Sequence, residues 1–191
     1  MTISTINAQP LWRSMLFVPA NMQKFIDSAP SRGADAYILD LEDSVPLAQK
    51  DNARGRIREA AASISESGAE ILVRINRPWR LAVRDIEASV DANVSALMVP
   101  KAADVGHIRA IAEILDEIED EIGLPNGHTR LVAMIETTEA YFQAEEIARA
   151  HTRIIAMTLG SEDFALSAGM LPEEEGLFQP TLHVMFAARA A

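Results

Sequence analysis

The strongest constraint on this chain is an alternation that runs through its whole length. Short, almost wholly apolar runs at 14–18 (SMLFV), 36–41 (AYILDL), 71–76 (ILVRIN), 96–99 (ALMV), 131–135 and 154–159 are separated by longer segments. In those segments, 22–31, 50–65, 83–92, 104–122 and 139–150, apolar residues recur every three or four positions among charged ones, which is the spacing of amphipathic helices. Strands this hydrophobic do not belong to a half-solvated sheet. They fit a parallel sheet whose crossovers are helices packed on its face, so the pattern predicts an α/β fold, either a closed barrel or a doubly wound sheet. No linker or low-complexity stretch divides the chain, and residues 1–191 read as a single domain in which 123–130 (GLPNGHTR) is a helix-to-strand loop.

Charge and composition narrow the function. With 17 Lys and Arg against 28 Asp and Glu, the net charge of −11 argues against nucleic acid as a partner, because phosphate-backbone affinity needs clustered cations. Any anionic ligand must then be held by a few local arginines. There is no cysteine, so disulfide and thiolate chemistry are excluded. The opening MTISTINAQPLWR lacks a basic stretch followed by an apolar one, and no apolar run approaches membrane-spanning length, so the reading is a soluble, cytoplasmic protein with no membrane partner.

Polar residues gather at the ends of the apolar runs. Arg13 precedes the first; Asp40, Glu42 and Asp43 close the second, Arg74 and Asn76 the third, Lys101 the fourth, Glu136 the fifth and Asp163 the sixth. Parallel strands bring their C-terminal ends to one rim, where the loops of β/α folds carry their chemistry. Two carboxylates converging there, Glu136 and Asp163, with no cysteine and no paired histidine nearby, suit Mg²⁺ or Mn²⁺ better than zinc. The alternative is that both acids serve the N-termini of the helices that follow, although Thr137 and Thr138 can cap the first without Glu136. Arg74, inside an apolar strand, needs an anionic partner; either a ligand or an acid of the DLED segment supplies it. His107, His128, His151 and His183 have no ligand spacing and are assigned no metal.

Six motifs in order, RSMLFVPAN (13–21), GADAYILDLEDSV (33–45), VRIN (73–76), VPKA (99–102), IET (135–137) and LGSEDF (159–164), resemble the citrate lyase β-subunit family, the CoA-ester lyase branch of the HpcH/HpaI aldolase superfamily. The resemblance implies a TIM barrel in which Glu136 and Asp163 hold Mg²⁺ and Arg74 binds substrate beside it. It further implies cleavage, or formation in reverse, of a carbon–carbon bond in a 3-hydroxyacyl-CoA thioester such as citryl-, malyl- or citramalyl-CoA, with an α-keto acid as the second product. On that reading Arg74, Glu42 and Asp43 are the catalytic candidates. Arg13 and Lys101 are further substrate contacts, and Lys24 lies where the nucleotide end of CoA would arrive. Two other readings remain open: a non-catalytic homologue that binds metal and a small acid, and an aldolase acting on free 2-keto acids.

The barrel of this family has eight strands, whereas the chain supplies six before the helix-like TLHVMFAARAA (181–191), so the expected architecture is a (β/α)8 barrel truncated after about six β/α units. Open sheet edges and the stripe Leu182, Met185 and Phe186 call for a cover, and a homo-oligomer is the expected state. The acidic segment 170–180 (MLPEEEGLFQP) reads as a rim loop.

Overall fold

The computed structural model describes residues 11–191. All six expected strands form: β1 (Met15–Pro19), β2 (Ala36–Asp40), β3 (Glu70–Arg74), β4 (Ala96–Val99), β5 (Arg130–Ile135) and β6 (Ile154–Leu159). They pair in chain order, every neighbour parallel, which is the strand arrangement of a TIM barrel taken through six units. Among the described residues β1 and β6 do not pair, so the sheet is an open arc. The strand period of two splits its side chains between two cores. Tyr37, Leu39, Ile71, Val73, Leu97, Leu131 and Ala133 point outward to the helices. Ile38, Leu72, Met98, Val132 and Met134 point inward, with Trp12 and Met15 packed against them.

Several helices depart from expectation for local reasons. The segment 22–31 is α1 (Gln23–Ser28) followed by a 3₁₀ turn (Ala29–Arg32) that carries Pro30 near its start. The segment 50–65 is broken at Gly55 into α2 (Lys50–Arg54) and α3 (Ile57–Ser65). α4 (Trp79–Ser89) starts four residues before 83 because Pro78, with its fixed φ, serves as the residue that opens the helix. α5 (Val105–Ile122) is the best delimited: Asp104 accepts from the His107 amide at its start, and Gly123, at φ 75°, closes it in the left-handed region. Residues 139–150 become two short helices, α6 (Thr138–Phe142) and α7 (Ala144–Ala148), and α8 (Ser161–Ala168) follows β6.

The end of the chain corrects the expectation most. α9 runs Glu174–Ala190, so most of the supposed rim loop is helix, with Pro180 inside it. Glu174 and Glu175 in its first turn complement the positive end of the helix dipole, which outweighs the proline as a signal. α9 packs on β6 and α7 and buries Val184 and Ala187; Met185 and Phe186, two of the three residues of the expected stripe, face solvent. Among the described residues no helix is long and apolar enough to cross a membrane.

Candidate active site

The C-terminal rim of the sheet gathers the charged residues. Asp40 and Arg74 are register partners at the ends of β2 and β3. Arg74 Nε donates to Asp40 Oδ1 at 2.7 Å and Nη2 to Oδ2 at 2.8 Å, a two-pronged pair, while Nη1 lies 3.2 Å from Glu42 Oε2 and 3.4 Å from Asp43 Oδ2. One edge of the guanidinium is thus held by Asp40 and its far end faces a cavity of about 530 Å³. The Arg74 Cζ lies over the Phe17 ring, 4.8 Å from its centroid, a cation–π contact. Burial pushes the Asp40 carboxyl up, but the bonds and charge of Arg74, together with Ser44, hold it below the usual carboxylate range. The acid partner expected from DLED therefore exists, and it is Asp40.

A buried scaffold supports this pair. Lys50 Nζ donates to the carbonyls of Leu41 (2.7 Å) and Glu42 (2.9 Å), pinning the loop after β2. Asn76 bonds the Leu41 carbonyl and, with its own amide, the fully buried Asp85, which Arg54 neutralises. Glu42 is left nearly buried with Oε2 lacking a hydrogen bond. Burial, eased by Arg74 and aggravated by Asp43 and Glu136, pushes its carboxyl up to about 7.

Across the cavity, Glu136 is nearly buried at the end of β5 and accepts the Lys101 amide at 2.5 Å. It caps nothing: Thr137 accepts from the Ala140 amide and starts α6 by itself. Burial raises the Glu136 carboxyl, only partly offset by the Lys101 amide and charge, and nearby Asp163 raises it further. Gly160 makes room for it, since a Cβ there would stand 2.4 Å from Glu136 Cγ and Oε1. Asp163, in the first turn of α8, is bonded by Lys101 Nζ, which also lies 3.9 Å from Glu42 Oε1. Glu136, Asp163, Arg74 and Asp43 all line the one cavity, floored by Ile38, Met98, Val132 and Met134.

One of the expected contacts is placed elsewhere. Arg13 sits before β1, at the opposite end of the sheet, and is bound by Asp35 at 2.8 Å. A residue that precedes a parallel strand falls on the far rim, so the geometry removes Arg13 from the substrate contacts. Lys24 is exposed on α1, beside the C-terminal rim but outside the cavity lining. Among the described residues no three His, Asp or Glu side chains form a metal cage. The Glu136 and Asp163 pair nonetheless suits Mg²⁺, which is commonly held by one or two carboxylates and completes its shell with water and ligand oxygens. His107 is structural: its Nδ1 accepts the Ala103 amide, and its ring meets Trp79 edge-on at 5.2 Å.

Comparison with known proteins identifies the family. Residues 13–191 match the HpcH/HpaI aldolase/citrate lyase family. The chain is 34% identical to the citrate lyase subunit beta of Leuconostoc mesenteroides subsp. cremoris over 97% of its own length and 63% of that protein's. It is 31% identical to the L-malyl-CoA/beta-methylmalyl-CoA lyase of Rhodobacter capsulatus, covering 92% of this chain and 56% of the lyase. The chain therefore spans only about three fifths of these relatives' length. Among solved structures, a citrate lyase beta subunit of M. tuberculosis complexed with oxaloacetate and magnesium is similar at a TM-score of 0.70 and 26% identity, over 92% of this chain and 73% of that one. This chain belongs to the HpcH/HpaI aldolase/citrate lyase family.

Proposed function

We propose that the chain carries the metal- and keto-acid-binding site of a Mg²⁺-dependent carbon–carbon lyase that cleaves, or in reverse forms, a 3-hydroxyacyl-CoA thioester, releasing an acyl-CoA and an α-keto acid. The observation that carries the reading is the meeting, in one cavity, of an arginine whose plane is fixed by Asp40 and two carboxylates on the opposite wall. Glu136 and Asp163 would hold Mg²⁺, which when bound polarises a keto oxygen as a Lewis acid. Asp40 fixes the Arg74 plane, and Glu42 and Asp43 draw its Nη1 toward the cavity. The cavity side of that fork suits a carboxylate or the enolate oxygen of an acyl-CoA product, and its orientation is set before ligand arrives. Phe17, Met98 and Met134 supply an apolar wall that strengthens each of these charges by excluding water. Lys24, exposed beside the rim, is the proposed contact for the anionic nucleotide end of CoA.

Incubation with a panel of citryl-, malyl- and citramalyl-CoA, with Mg²⁺ or with EDTA, tests the reading through keto-acid release. Mg²⁺-dependent release from at least one thioester is expected; release from none of them overturns it. A second reading, a binding subunit that holds metal and a small acid without turnover, is favoured by the open sheet between β1 and β6. It predicts Mg²⁺-dependent oxaloacetate binding with no cleavage of any thioester. Leu16 and Phe17 on β1 and Phe178, Met185 and Phe186 on α9 are exposed apolar side chains near those edges, and we propose that another copy of the chain covers them.

A further inference from the structure

Lys101 occupies an unusual position. Among the described residues it is the one non-glycine residue at positive φ, 47°, a left-handed conformation that an L side chain adopts only at a cost in backbone strain. That turn does two things at once. It aims the Lys101 amide at Glu136 Oε2 and brings the ammonium onto Asp163 Oδ2, with Glu42 Oε1 at 3.9 Å. One residue thus reaches three acids that would otherwise repel one another across the rim. Arg77 Nε donates to the Lys101 carbonyl at 3.2 Å and helps hold the turn.

We propose that Lys101 is an internal stand-in for the divalent ion: its ammonium neutralises Asp163 while no metal is bound and must leave that carboxylate for Mg²⁺ to bind. The proposal rests on the assignment of Glu136 and Asp163 as the metal ligands. An ammonium and a dication cannot both sit on Asp163 Oδ2 without strong repulsion at close range. Exchange is feasible because the ion pair is open to water, the lysine side chain being 36% exposed and the aspartate 33%; such pairs are weak and easily given up. Lys101 therefore positions Asp163 and tunes metal affinity, while its amide keeps Glu136 in place in both states.

Calorimetric titration of Mg²⁺ into the wild-type protein and K101M tests this. Methionine keeps the backbone amide and the unbranched stem of the side chain up to its fourth atom, and removes the competing charge. The expected result is Mg²⁺ affinity at least about threefold tighter in K101M, the size expected from releasing an exposed ion pair. Equal or weaker binding in K101M overturns the displacement while leaving the metal site standing; no binding by either protein overturns both. Should K101M fold poorly, the wild type answers by itself through amine acetylation followed by peptide mass spectrometry. Lys101 should react faster in Mg²⁺ than in EDTA, and an unchanged or slower rate overturns the proposal.

Discussion

Gly160→Ala is the smallest change that should remove the metal site without touching a charged residue. A Cβ at position 160 would lie 2.4 Å from Glu136 Cγ and Oε1 and 2.7 Å from Cδ, where ordinary contact begins near 3.4 Å. The Glu136 side chain must therefore retreat by about 1.0 Å, since all three atoms that the new Cβ would meet belong to it. Overpacking of this kind costs roughly 1–3 kcal/mol, which for a chain of this size lowers Tm by about 2–4 °C per kcal/mol. The site should suffer more than the fold. Mg²⁺ demands ligand oxygens at about 2.0–2.1 Å in near-octahedral geometry, and a displacement of that size should weaken binding by at least about tenfold, ~1.4 kcal/mol. Calorimetric titration of Mg²⁺ beside a thermal melt separates the two effects. A variant that melts lower yet binds Mg²⁺ with wild-type affinity would refute the reasoning that Gly160 exists to seat Glu136.

Glu136→Gln and Asp163→Asn should each abolish Mg²⁺ binding in the same titration while leaving the circular dichroism of the fold intact, because charge rather than volume is lost; unchanged affinity in both would return the acids to a structural role. Arg74→Lys should weaken keto-acid binding by more than about threefold, ~0.7 kcal/mol, since an ammonium cannot hold Asp40 by two prongs and still present a second N–H edge to the cavity. A smaller change in a binding titration would make Arg74 merely the structural partner of Asp40. His107, held neutral by burial with its proton affinity lowered to about 4, binds a proton in the unfolded chain before the folded one. Stability from this group is full above the ordinary histidine value and is lost as pH falls from there toward about 4. Denaturant melts across that window should show a shallower loss for His107→Asn than for the wild type. Light scattering at micromolar concentration should return a multiple of the 20.8 kDa chain mass, and a well-folded monomer would show that the strand edges need no second copy.

The strands were legible because a parallel strand buried on both faces leaves an unbroken apolar signature, and β4 and β6 match the expected bounds to the residue. Arg74, Glu136 and Asp163 could be placed on one rim for the same reason: each follows or ends such a run. What could not be read depends on contacts distant in sequence. That Asp40 rather than Glu42 or Asp43 takes the Arg74 fork follows from the register of β2 on β3. Lys50 and Asp85, which brace the site from behind, lie on helices whose faces only the packed structure reveals. Arg13 was misplaced by treating a position before a strand as equivalent to one after it, although the two lie at opposite ends of a parallel sheet. Gly176 and Pro180 read as loop punctuation; the acidic first turn and packing on β6 made that segment α9.

The central claim is that Glu136 and Asp163 together hold a divalent ion at the cavity rim, within reach of a ligand on Arg74. Crystals grown with Mn²⁺ and pyruvate, with diffraction recorded near the manganese absorption edge, test it directly. The account predicts an anomalous peak about 2.2 Å from a carboxylate oxygen of each acid, as expected for a hard octahedral ion, with the pyruvate carboxylate or keto oxygen on the metal and Lys101 Nζ withdrawn from Asp163. A peak bound elsewhere, or pyruvate bound at Arg74 with no metal between the two acids, would contradict it.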